Sequence, residues 1–192
     1  MQKFLLHTCC APCSIVVIDE LKNKYDLTVF FFNSNIYPEA EYLKRKKYVM
    51  QVCEEWGIKM VDLDYDNESW QQQIVGFEAE PEMGARCSIC FKIRLEKTAQ
   101  YAKENGFDIF CTSLTSGRNK KAEIINPIGC ALGEKYGVEF LQADWKKDGR
   151  STFAKAMAGK QESRQEKATR LINERGIYRQ NYCGCKYSLP QE

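Results

Sequence analysis

Phe4-Leu5-Leu6-His7-Thr8-Cys9-Cys10-Ala11-Pro12-Cys13 reads as strand, tight loop and helix start, with three thiols in the loop. The apolar run supplies the strand, and the amphipathic stretch from Ser14 to about Lys24 supplies the helix. Pro12 fits a first helical turn, where no backbone N–H is needed. The positive end of that helix then points at the thiols and favours their ionised form. Adjacent cysteines cannot readily close on each other, so a Cys9–Cys10 disulfide is not expected. Thiolates gathered at a helix N-terminus serve as metal or cluster ligands or as a redox pair. Core packing would suit one cysteine here but hardly three.

Beyond this stretch, five apolar runs alternate with helical segments. The runs are Phe4-Leu6, Leu27-Phe32, Lys59-Leu63, Phe107-Thr112 and Val138-Leu141. Leu27-Thr28-Val29-Phe30-Phe31-Phe32 is almost continuously apolar, as expected of a strand covered on both faces. Helices are expected at 14–24, 38–56, 67–75, 88–104, 122–136 and 162–175. Gly57, Gly106, Gly137 and Gly176 follow four of them as C-terminal caps. This alternation predicts an α/β fold: a three-layer parallel sheet flanked by helices, in one domain over 1–192, with a cysteine-rich tail.

The chain has 192 residues, 44% of them hydrophobic, which is enough for one good core. The N-terminal apolar run is too short for a signal peptide, and no stretch approaches the roughly eighteen apolar residues of a membrane helix. The expectation is therefore a cytoplasmic protein without a membrane partner. Ten cysteines in a reducing compartment point to metal, iron–sulfur or redox chemistry rather than to a disulfide framework. Residues 1–115 carry 13 Lys/Arg against 17 Asp/Glu, a charge of −4, and residues 116–192 carry 15 against 9, a charge of +6. The asymmetry suggests a polyanionic partner for the C-terminal part.

Topology gives the thiols their meaning. In open α/β sheets ligands bind beyond the carboxyl ends of the strands. The loops 7–13, 33–38 and 112–121 leave strands one, two and four there. The helix at 88–104 feeds strand four, so its N-terminus, with Cys87-Ser88-Ile89-Cys90, lies on the same edge. Cys87 and Cys90 share one helix face. A further cluster, Cys183-Gly184-Cys185, follows the last helix, and Gly184 allows a sharp bend that folds the tail back over the edge.

Cys53, Cys111 and Cys130 read as core residues, which leaves seven thiols for chemistry. A structural zinc uses four and leaves three unexplained. A 4Fe–4S cluster takes three or four, and the surplus suits a second metal or a redox disulfide. His7 is the lone histidine, a ligand, a proton donor or a residue that orients its loop. No glycine-rich phosphate loop follows strand one, which argues against ATP or NAD. The basic segments Arg118-Lys120-Lys121 and Lys146-Lys147-Arg150 follow strands four and five on the thiol edge, suited to nucleic-acid phosphates, and Trp145 or Tyr178 suits stacking on a splayed base.

Four motifs in order resemble one family. They are His7-Thr8-Cys9-Cys10-Ala11-Pro12; Arg86-Cys87-Ser88-Ile89-Cys90-Phe91 with Arg94-Leu95; Asp144-Trp145-Lys146-Lys147; and Tyr178-Arg179-Gln180-Asn181-Tyr182-Cys183-Gly184-Cys185. They resemble epoxyqueuosine reductases of the QueH type over nearly the whole chain. The resemblance implies a HUP-like α/β fold, a 4Fe–4S cluster, an adjacent mononuclear metal such as iron, and reduction of epoxyqueuosine to queuosine in tRNA. It implies cluster binding by Cys10, Cys87 and Cys90, with Cys9 as fourth ligand or bridge. It leaves Cys13, Cys183 and Cys185 for the second metal or a redox pair, and Cys13, Asp144 and Tyr178 as catalytic candidates. Lys120, Lys121, Lys146, Lys147 and Trp145 are the expected tRNA contacts, and electrons come from a donor that the sequence does not identify. Two readings from other classes stand beside this one: a metal-bearing RNA-binding protein without catalysis, and a thiol–disulfide oxidoreductase acting on proteins.

Overall fold

The computed structural model describes residues 1–147 and 162–189. Its strands are β1 Lys3–His7, β2 Asp26–Phe31, β3 Lys59–Asp62, β4 Ile109–Thr112 and β5 Glu139–Phe140. All pair in parallel, in the order β3-β2-β1-β4-β5. The helices are α1 Ala11–Leu21, α2 Glu39–Trp56, α3 Asn67–Gln73, α4 Ala85–Glu104, α5 Ala122–Tyr136 and α6 Arg164–Glu174. The parallel α/β expectation holds. Gly57, Gly106, Gly137 and Gly176 all take the left-handed conformation at or just past a helix end.

Strand alternation sorts the two faces. Phe4 and Leu6, Val29 and Phe31, and Ile109 and Cys111 point to one core with the apolar sides of α1, α2 and α6. Leu5, Phe30 and Phe110 point to the other, with α4 and α5. The period of two along three adjacent strands thus builds both outer layers. Cys53 lies in the first core, and Cys130 packs partly buried against the second, so these two and Cys111 are packing residues.

The strand order reverses direction at β1, and the loops leaving β1 and β4 diverge there. This is the crevice in which α/β sheets bind ligands. Its floor is tied by side chains. Asn33 Nδ2 donates to the Thr8 carbonyl at 2.8 Å, and Thr8 N donates to the Phe30 carbonyl at 2.9 Å. No described helix is long and apolar enough to cross a membrane.

The approach of α5 to β5 depends on Gly133. A Cβ there would stand 2.8 Å from the Val138 carbonyl oxygen and 3.4 Å from Phe140. Alanine would gain up to about 1 kcal/mol in helix propensity. Forcing apart packed backbone costs about 1–3 kcal/mol and outweighs that gain. Gly133→Ala is therefore expected to lower stability by about 1 kcal/mol or more in urea unfolding, and a variant as stable as the parent would show that α5 can shift freely.

Candidate metal centre

The loop after β1 is built for close thiol approach. Cys10 caps α1 in an extended conformation, and Pro12 follows in the first turn. Cys9 Sγ lies 3.8 Å from Cys10 Sγ, and all ten cysteines are free thiols. Ser116, in the short 3-10 turn after β4, donates to the Cys13 carbonyl at 2.5 Å, which locks that turn against α1. His7 is fully buried. Its Nε2 donates to the Phe32 carbonyl (3.1 Å), and Nδ1 accepts from the Thr112 hydroxyl (2.9 Å), whose oxygen accepts the Leu114 N–H (3.1 Å). Burial and the nearby Arg94 charge hold its pKa down to about 4. Neutral and with both nitrogens engaged, His7 is the loop-orienting residue among its three expected roles.

The second set of thiols comes from α4. Gly84 precedes it, and Met83 adopts a positive φ of 73° while its N–H donates to Cys87 Sγ at 3.2 Å. A left-handed methionine is strained, and the N–H···S contact is what the strain aims. Cys90 is buried with Trp70, Ile74 and Cys185 in a third cluster at the sheet edge.

The tail folds back as the sequence suggests. Tyr37 N donates to the Gly184 carbonyl (2.8 Å), and the buried Arg45 of α2 donates to the carbonyls of Cys183 (3.0 Å) and Tyr182 (3.2 Å) while paired with Glu41 at 2.7 Å. Gly184 has a φ of 126°, and a Cβ there would stand 2.9 Å from the Arg45 guanidinium. Cys183 then faces a cavity of about 440 Å³ that Cys9, Cys13, Lys120, Gln180 and Tyr182 also line. Cys185, 5% exposed, turns instead towards Cys90 and Trp70. The two tail thiols therefore diverge, and only Cys183 joins Cys13 at the cavity.

The electrostatics divide the thiols. Hydrogen bonds from the Cys10 and Cys13 thiols, with Arg94 nearby, hold Cys9 well below the usual thiol range. Cys10 is pushed well up by its bonds to Cys13 and Cys9 and by burial. Cys13 is drawn down by Cys10, but its bond to Cys9 and burial outweigh this and leave it at about 12. Burial pushes Cys90 up to about 11 and raises Cys87 as well. Such thiols release protons when a metal binds. Among the described residues no group of three His, Cys, Asp or Glu side chains is placed to hold a metal ion as it stands.

The side chains expected to meet tRNA or the chemistry are placed as follows. Lys120 is 8% exposed, and its Nζ contacts Cys183 Sγ at 2.8 Å, so it serves the thiols rather than a phosphate. Burial works against its charge, but the Cys183 sulfur more than offsets this and its pKa is raised. Trp145 is 9% exposed and donates its indole N–H to the Thr112 carbonyl at 2.9 Å. It packs in the first core beneath Arg164 and offers no face to a base. Lys146 Nζ is held by the Lys120 carbonyl at 2.7 Å. Asp144 accepts from the Lys146 N–H and pairs with Lys147 at 3.5 Å. The Tyr178 hydroxyl donates to Glu41, and Lys44 lies 3.7 Å over its ring, so Tyr178 packs the tail on α2. Lys121, Lys146 and Lys147 are exposed, as is Arg118 at the cavity wall. Arg150 lies outside the described residues.

Three residues to which the sequence assigns no role prove central. Gln180 Nε2 donates to Cys10 Sγ at 2.8 Å while its Oε1 is buried without a partner. Arg45 straps the tail, and Arg94 lies buried beneath the thiols. Arg94 was legible from its place one helical turn after Cys90. Gln180 stood within the tail motif, though its contact to Cys10 did not show there, and Arg45 carries no local signal.

Together these features define a class: a parallel α/β protein whose switch-point loop bears thiols where nucleotide binders bear glycines. Comparison gives the family. The model described as epoxyqueuosine reductase QueH matches residues 4–191, and the chain belongs to that family. It is 41% identical to the epoxyqueuosine reductase QueH of Histophilus somni over 98% of this chain and 72% of that one. It is 34% identical to the Thermotoga maritima protein of the same description, over 98% and 91%. Among solved structures, a predicted subunit of tRNA methyltransferase from Methanocaldococcus jannaschii superposes with a TM-score of 0.53 at 13% identity, covering 98% of this chain and 93% of that one. The U34-tRNA thiolase NcsA from Methanococcus maripaludis, with its [4Fe-4S] cluster, gives 0.51 at 15% identity, covering 98% and 62%. At such identities these two share the fold.

The strap yields a direct test. Arg45→Met removes the two hydrogen bonds from Arg45 to the tail and leaves the partly buried Glu41 carboxylate with the Tyr178 hydroxyl but no cation, a loss of roughly 3 kcal/mol. Cys185, shielded in the parent, is expected to react with a maleimide at least tenfold faster in the variant, read by mass spectrometry of the labelled peptide. Unchanged labelling would mean that the tail is held by other interactions.

Proposed function

We propose that this chain reduces epoxyqueuosine to queuosine at the anticodon wobble position of tRNA, with a 4Fe–4S cluster and a neighbouring mononuclear iron. The observation that carries the reading is a cavity of about 440 Å³ walled by Cys9, Cys13 and Cys183, with Cys10 Sγ 3.8 Å from Cys9 Sγ, in a chain of this family. The donor set fits an iron–sulfur cofactor: it is all-thiol, ringed by buried cations, and bordered by the unpartnered Arg94 Nη2 and Gln180 Oε1. Cys10, Cys87 and Cys90 would hold the cluster with Cys9 as fourth ligand. Cys13 and Cys183, on the cavity wall, would give the second iron two thiolate ligands, with its other positions left to solvent or substrate.

The reaction breaks two C–O bonds, takes up two electrons and two protons, and releases an alkene and water. When bound, the iron centre supplies the electrons and a Lewis acid for the oxygen. The protein supplies the rest. Lys120, kept charged beside Cys183, puts a fixed positive charge in the cavity where negative charge develops on the oxygen. Tyr182 and Leu114 form walls against which the nucleobase lies, and the Gln180 amide orients Cys10. The exposed Arg118, Lys121 and Lys147 would meet the anticodon-loop phosphates. A tRNA substrate goes with a cytoplasmic enzyme and a separate electron donor.

The catalytic reading is tested with protein reconstituted without oxygen and supplied with epoxyqueuosine-containing tRNA and a chemical reductant. The parent is expected to form queuosine, seen by nucleoside mass spectrometry. The Cys87→Ala, Cys90→Ala double variant should lose both iron and turnover. Full turnover in that variant, or none in an iron-loaded parent that still binds the tRNA, would sink the proposal, and the latter would favour an RNA-binding protein without catalysis.

Phosphate binding has its own signature. Replacing Arg118, Lys121 and Lys147 by Ala should flatten the dependence of log K on log[salt] by about 2–3 units, roughly 0.7–0.9 for each phosphate no longer neutralised. An unchanged slope would put the tRNA on another face.

A further inference from the structure

Four cationic side chains are buried near the thiols, and three have acceptors: Arg86 is held by the carbonyls of Phe77, Glu78 and Glu80, and the other two are Arg45 and Lys120. Arg45 is spent on Glu41 and the tail carbonyls, and Lys120 on Cys183. Arg94 differs. It follows Cys87 and Cys90 on α4 at i+7 and i+4, so all three share one helix face. Its side chain is 2% exposed and folds back one turn, with Nε donating to the Cys90 carbonyl at 3.2 Å. Nη2 is buried with no hydrogen-bond partner among the described residues. A guanidinium cannot shed its charge. Its strongest electrostatic partners are Cys90, Cys9, Cys183 and Cys87, and no carboxylate stands among them. A buried, charged donor without an acceptor is costly unless something arrives to accept from it.

Resting on the iron–sulfur reading above, we infer that Arg94 is the counter-ion of the cluster, its free guanidinium edge facing the bound anion and holding its reduction potential up. Adding an electron makes an iron–sulfur cluster more negative, so a fixed cation and an N–H···S bond both favour the reduced form. Arg94 is thus a positioning residue for charge: it makes the cluster easier to fill from the donor and sets how strongly the filled cluster reduces. The inference concerns the cluster alone and does not depend on which substrate occupies the cavity.

The test uses reconstituted parent, Arg94→Lys and Arg94→Gln, titrated by EPR without tRNA and assayed for iron and sulfide. The Gln variant should show a reduced-to-oxidised ratio at least tenfold lower at the parent midpoint, equivalent to about 59 mV for a one-electron couple. The Lys variant, which keeps the charge, should stay close to the parent. If the Gln variant cannot retain a cluster but the Lys variant can, the charge requirement is equally supported. Equal potentials in all three proteins, or equal loss of cluster from both variants, would assign Arg94 to packing and overturn the inference. A parent that takes up no cluster overturns this inference together with the cofactor reading. A parent that holds a cluster of normal potential but leaves epoxyqueuosine untouched overturns only the proposed reaction.

Discussion

The structure depends on one electrostatic constraint: seven thiols are brought together at a buried sheet edge, where ionised sulfurs would repel one another. Two devices relieve it. Burial keeps Cys90 and Cys87 protonated, and the three loop thiols share hydrogen bonds so that Cys9 alone is driven towards thiolate. Buried cations stand close to the thiols, with Arg94 on α4, Lys120 before α5 and Arg45 on α2. Each comes from a different element, so the shell is complete only when both helical layers have docked on the sheet.

The neutral His7 belongs to the same logic. It sits between the carbonyl of Phe32 and the hydroxyl of Thr112, joining the ends of three adjacent strands directly beneath the thiols. A charged imidazolium there would compete with Arg94 for the sulfurs. Burial excludes it, and the ring acts as a rigid spacer between β1, β2 and β4. The tail then closes the site from above, since the carbonyls of Tyr182, Cys183 and Gly184 are all bonded to α2 or to the loop before it.

Much of this was legible in the sequence. The continuous apolar run of β2, the alternation of strands with helices and the glycines past the helix ends specify a parallel α/β fold, because period and capping are local properties. The two helix N-termini bearing thiols converge by topology alone, since every βα loop of a parallel sheet opens at the same edge. Cys53, Cys111 and Cys130 read correctly as packing residues from the apolar periodicity around them.

The order of residues thus dictates the sheet, the edge and the thiols that meet there, together with the motifs that mark the family. The direction of individual side chains came from packing in three dimensions. Lys120 and Trp145 sit in segments that look solvated, yet one turns in to Cys183 and the other packs under Arg164. Cys183 and Cys185 stand two residues apart, yet the bend at Gly184 sends them to different partners. Arg45 and Gln180 reach the site from positions 138 residues before Cys183 and 170 after Cys10. Such contacts depend on long-range packing and on charge satisfaction in a low-dielectric interior, and neither leaves a mark in the local pattern of residues.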